Sequence, residues 1–64
     1  MNVVSANDIR TIEVLDIIGQ TVYKKNDVNL KITKIDVSRF NSGEYFVKLT
    51  TMSEIITNKI AVLH

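Results

Sequence analysis

The chain of 64 residues has no cysteine, no proline, no tryptophan and only two glycines. Without thiols there is no disulfide, no thiolate nucleophile and no cysteine-based metal site. Charge of one sign is not in excess either: eight basic residues face seven acidic ones for a net +1, and Lys24-Lys25 is the only adjacent basic pair. That balance gives no footprint for a nucleic acid. The longest apolar run is four residues, so no segment can form a membrane-spanning helix. The opening MNVVSANDIR lacks a basic stretch followed by an apolar one, so it does not read as an export leader. A role outside the cytoplasm would therefore imply a fragment of a longer protein with its own leader. Aromatic rings are few, at Tyr23, Phe40, Tyr45 and Phe46, too few for a carbohydrate platform, and Phe40 and Tyr45 read as core.

What is present is a composition of 45% hydrophobic and 23% charged residues, which fits one small globular domain. A domain of this size buries only about 60% of its unfolded surface, so its stability is expected to be marginal. Period two dominates the pattern. IRTIEVLD puts Ile12 and Val14 on one face, QTVYKK separates Val22 from Tyr23, and NDVN at 26–29 reads as a polar break. LKITKIDV alternates through Leu30 and Ile32, then shifts by one to Ile35 and Val37, which predicts a bulge near Thr33 and Lys34. SRFNSG reads as a connection with Ser38 as a cap and Phe40 tucked beneath it. EYFVKLT aligns Tyr45, Val47 and Leu49, and EIITNKIAVL aligns Ile56, Ile60 and Val62. Five such short, regularly spaced strands predict an all-β fold, a sandwich or a small barrel. Its predicted core comprises Ile12, Val14, Val22, Tyr45, Val47, Leu49 and Ile60.

Both glycines sit where a left-handed backbone is expected, Gly19 closing the turn DIIG and Gly43 ending the SRFNS connection. The turn is unusual in placing Ile17 and Ile18 where polar residues would serve equally well. Adjacent turn side chains diverge, so Ile18 is expected to fold over the open end of the sandwich while Ile17 stays exposed.

Catalytic chemistry is nearly silent. The carboxylates Asp8, Glu13, Asp16, Asp27, Asp36, Glu44 and Glu54 fall on turns or polar faces and read as caps or solvated charges. A calcium site built on Asp27 and Asn29 would be short of ligands. The single histidine, His64, is terminal and reads as a frayed end or part of a purification tag. No metal, cofactor, small-molecule substrate or nucleic-acid partner is expected, and no enzyme.

The order IRTIEVLDIIGQTVY, then a polar break, then IDVSRFNSGEYFVKL, then IITNKIAV resembles the C-terminal sorting domain of the type IX secretion system, over about residues 9–62. Its carriers are the hydrophobic turn DIIGQ, Ser38 followed by SGEYFVKL, and Lys59 in the last strand. Members usually open on a strand with a Pro-Asn-Pro type motif and often close on a basic residue. Neither is found here, so residues 1–64 read as a single, N-terminally truncated sorting domain. The resemblance implies an all-β, small antiparallel immunoglobulin-like β-sandwich, about five to six strands in this fragment, and a signal at the end of cargo proteins of Bacteroidota. Such a signal passes through the periplasm, is bound by the type IX secretion machinery at the outer membrane, and is cleaved by a sortase-like peptidase at the cell surface or outside the cell. The surface implied for recognition comprises Ile17, Ile18, Gly19, Gly43, Tyr45 and Lys59. A truncated sandwich would expose a sheet edge, so self-association by strand pairing or exchange is expected. The alternative is a structural or adhesive β-sandwich module of a larger extracellular protein. A β-barrel enzyme or ligand-binding domain would need a pocket of convergent polar groups.

Overall fold

The computed structural model describes residues 1–63, and none of them is helical. The expectation for His64 lies outside the described residues. Four strands form one antiparallel sheet: β1 (Asn2–Asp16), β2 (Thr21–Lys34), β3 (Gly43–Thr50) and β4 (Ile55–Val62), in the order β2-β1-β3-β4. Two hairpins, β1–β2 and β3–β4, are thus joined side by side through β1 and β3.

The central register builds the core. Ile12 lies opposite Leu49, Val14 opposite Val47, and Asp16 opposite Tyr45. Tyr45 in turn faces Ile60, Leu49 faces Ile56, and Gly43 faces Val62. The alternation of apolar residues in β1 and β3 therefore lands on one face of the sheet, as period two requires. Ile12, Val14, Tyr45, Val47 and Leu49 are buried, as expected, and Ile60 packs half-buried against them.

A 15-residue strand would be about 50 Å long if straight, yet the whole molecule measures 31 Å along its longest axis. The β1–β2 hairpin must therefore bend. Its register breaks at two places that allow this: between Val4 and Ile9 of β1, which face Ile32 and Leu30, and between Ile9 and Thr11, which face Leu30 and Asn26. In the second break the segment Asp27–Asn29 opposes Arg10 alone, and Asp27 and Asn29 take φ of 56° and 54°. Asp and Asn tolerate this left-handed backbone better than other side-chain-bearing residues. The bulge rotates Val28 into the core, where it is buried. Beyond the bend, Met1–Val4 lines the same cleft of about 200 Å³ as Val47, Leu49, Asn58 and Ile60, so the end of the hairpin arches over the inner face. Ile9 and Ile35 are fully buried in the same core cluster, and the Ile35 N–H donates to the Met1 carbonyl (2.8 Å).

Three expectations are corrected by this geometry. NDVN does not end a strand, because the chain bulges there and continues, so two predicted strands are one and the sheet has four strands. No bulge occurs near Thr33 and Lys34, where Asn2, Val3 and Val4 pair in regular register with Lys34, Thr33 and Ile32. Period two simply runs on through buried Thr33 and Ile35 to half-buried Val37, while Leu30 and Ile32 point outward, 58% and 53% exposed. Val22 is not core. Val14 pairs with Tyr23 and Leu15 with Thr21, so Val22 is the extra residue of a bulge, 42% exposed, and Tyr23 takes the inward position.

Candidate recognition surface

One end of the sheet gathers the turn 16–20, the β2–β3 connection 35–42, the start of β3 and the end of β4. The turn is organised by Asp16. Its carboxylate accepts the N–H groups of Ile18 (3.0 Å) and Gln20 (2.9 Å), and its carbonyl accepts the Gly19 N–H (3.0 Å). Its own N–H donates to the Gln20 carbonyl (2.9 Å), closing a loop of Ile17, Ile18 and Gly19. Gly19 takes φ +88°, the left-handed residue that a three-residue hairpin loop needs. A Cβ there would touch nothing within 4 Å, so the demand for glycine is purely one of backbone conformation.

With the backbone of the turn held by Asp16, the two isoleucines project past the sheet. Ile17 is 68% and Ile18 74% exposed, which corrects the expectation that Ile18 caps the core. The core at this end is closed instead by Tyr45 and Phe40. The Tyr45 hydroxyl donates to the Asn41 carbonyl (2.6 Å), and its ring lies 5.3 Å from that of Phe40, tilted by 34°. Phe40 is half-buried against the core, as its tucked position in the connection predicts.

The connection itself is shaped by Asp36. Its carboxylate accepts hydrogen bonds from the Ser38 hydroxyl and the Ser38 N–H (3.0 Å to the latter), which hold it below the ordinary aspartate value; Arg39 nearby adds to this. The Phe40 N–H then donates to the Val37 carbonyl (3.0 Å). Beside the turn, Val22, Tyr23, Asp36, Arg39, Phe40, Asn41 and Tyr45 border an open groove of about 480 Å³. On the outer face, Lys59 pairs with Glu44 (3.1 Å) with both side chains more than half exposed. Such a pair contributes about 0–1 kcal/mol, so the Lys59 ammonium remains accessible to another anion. Among the described residues no cluster of three or more potential metal ligands occurs.

The model of the secretion system C-terminal sorting domain family matches residues 1–63. The chain belongs to this family. It is a C-terminal sorting signal of the type IX secretion system, the signal that directs export to the cell surface or extracellular space. No curated protein and no solved structure matches the chain at a significant level.

In this sorting domain the sequence-predicted surface residues converge on one end but differ in access. Ile17, Ile18 and Gly19 form its tip. Leu15, Phe46 and Lys59 share one cross-strand row, which sets Lys59 on the outer face one row behind Asp16. Gly43 opens β3 with φ +155°, a conformation rare for side-chain-bearing residues, as expected of this position. Tyr45 is only 7% exposed, and its hydroxyl ties the connection at Asn41. Val22, Asp36 and Arg39 join this end without having been singled out. Asp36 was legible as the first residue of DVS, where an aspartate two residues before a serine can accept its N–H. Val22 was not, because its outward position depends on the bulge.

Proposed function

We propose that the end of the sheet carrying Ile17, Ile18, Gly19, Gly43, Tyr45 and Lys59 is the surface by which the type IX machinery grips this sorting domain. The observation that carries the proposal is the exposure of both turn isoleucines in a loop whose backbone Asp16 already holds. Two adjacent apolar side chains held in water by a rigid turn cost solvation without gaining packing, and they are ready to be buried by a partner. Val22 extends the apolar tip, the groove beside Arg39 offers a second contact, and Lys59 supplies a cation on the adjoining face. Gly19 and Gly43 act through backbone shape and Tyr45 through the connection it anchors.

In this reading the domain acts by recognition and not by catalysis. It folds in the periplasm, is held by the machinery during transit, and is removed by a sortase-like peptidase once outside. The arched end of the β1–β2 hairpin, lying over the β3–β4 face, serves as the second layer of the family's immunoglobulin-like sandwich. The experiment is a fusion of residues 1–64 to the C-terminus of a periplasmic reporter in a bacterium with a type IX system. Surface display that is lost on deleting a machinery component is the expected result. A reporter that stays periplasmic while the fused domain is folded would overturn the proposal.

A further inference from the structure

The two edges of the sheet are unequally protected. β2 carries Lys24, Lys25, Lys31, Lys34 and Asp27, and it is broken by two positive-φ residues. Charges and bulges of this kind keep an edge from pairing. β4 has eight residues with the single charge Lys59, already balanced by Glu44, and no positive φ. Its inner face is also incompletely covered, with Ile56 and Ile60 half-buried and Asn58 exposed beside the cleft under Met1–Val4.

We propose that the free edge of β4 pairs antiparallel with the same edge of a second copy of this chain, centred on Asn58. The sequence of β4 selects that register. With Asn58 facing its own counterpart, Ile56 lies opposite Ile60 of the second copy on the inner face, twice over by symmetry. Outside, Ile55 meets Ala61 and Thr57 meets Lys59. Ile55, Ile56, Ile60 and Ala61 then each face an apolar neighbour, two amides meet at the axis, and no like charges oppose. Centring on Lys59 instead would set two lysines face to face, and centring on Thr57 would set Lys59 against Ile55. An edge of eight residues is about 26 Å long and a single sheet about 10 Å thick, a footprint of about 260 Å² per copy. That is the size of weak and reversible contacts. The pairing yields one eight-stranded sheet whose two-fold axis sends the DIIG tips to opposite ends, leaving both free. It rests on the strand edge alone and shares only Lys59 with the proposed secretory contact.

The chain has no cysteine, so single cysteines report on the register. Strands paired at Asn58 bring its two Cα atoms to about 4.5–5.5 Å, inside disulfide range. The two Lys59 positions would be about 8 Å apart, outside that range. Under mild oxidation Asn58→Cys should form linked dimer about tenfold faster than Lys59→Cys or the β2 control Lys31→Cys. Equal rates, or a faster control, would overturn the proposal. Sedimentation across rising concentration gives a second reading that does not depend on the cysteines. Thr57→Glu, facing Lys59 of the second copy, should strengthen association and Thr57→Lys should weaken it, with melts at low concentration confirming that both fold. No association by the parent chain at millimolar concentration, or the reverse order of the two variants, would equally sink it.

Discussion

Replacing both turn isoleucines by serine separates recognition from folding more cleanly than any other change to this domain. Ile17 and Ile18 are 68% and 74% exposed, so little of their surface supports the fold. The backbone of the turn is held by Asp16 and Gly19, which the substitutions leave in place. Each change should therefore alter stability by no more than about 0.5 kcal/mol, a shift of a few degrees at most in a domain of this size. A partner gains much more. Fully burying an isoleucine contributes about 1.5–3 kcal/mol, and with roughly seven-tenths of each still in water, about 1–2 kcal/mol per residue remains to be gained on binding. The pair then accounts for about 2–4 kcal/mol, an affinity loss of about 30-fold to several-hundred-fold. The assay is surface display of a reporter carrying the parent or the Ile17→Ser/Ile18→Ser domain, with thermal melts of the purified domains in parallel. Loss of display at unchanged melting temperature is expected. Parental display by a double variant that melts like the parent would refute the reasoning and leave the hydrophobic turn without a role in export.

Other perturbations test the supports of this surface. Tyr45→Phe keeps the ring on Phe40 but removes the bond to the Asn41 carbonyl, and should cost about 1 kcal/mol, lowering Tm by about 4–8 °C; an unchanged Tm would show that bond to be idle. Val47→Ala, in the buried row with Val14, should cost about 1–3 kcal/mol by urea denaturation, and a value near zero would contradict the core. Asp36→Ala should loosen the 35–42 connection at neutral pH, seen as faster amide exchange at Phe40. Because the folded carboxyl is held below the ordinary 3.8, its contribution is present above that value and lost as pH falls through the folded pKa. Parent and variant should therefore converge in acid, and a difference independent of pH would rule the carboxylate out.

How far the sequence foretold this molecule depends on where the chain stays regular. In β1 and β3 every other residue from Ile12 to Val14 and from Tyr45 to Leu49 is apolar, no bulge intervenes between the paired stretches, and the core face was readable directly. The turn at DIIG was readable from Asp16 and Gly19 for the same reason, since its chemistry is local. Val22, Val28, Leu30 and Ile32 were not, because a bulge reverses the facing of the residues beyond it, and its position depends on what the partner strand opposes to it. NDVN carries the signature of a break, yet the same tolerance for positive φ lets Asp27 and Asn29 bend a strand without ending it. The outward turn of Ile18 was missed on a different ground. Closing the core at that end falls to Tyr45 and Phe40, which are remote in sequence.

The joining of two hairpins through β1 and β3 also bears on the order of folding. Each hairpin is a local unit that can form quickly, whereas the β1–β3 ladder pairs residues far apart in the chain and must wait for the slower closure of the intervening segment. The DIIG tip belongs to the first hairpin, and Gly43, Tyr45 and Lys59 belong to the second. A binder that touches both at once meets its full target only after the two have docked. Such a composite surface distinguishes a finished domain from a half-folded one, so a carrier reading it would admit cargo only when its tail has matured.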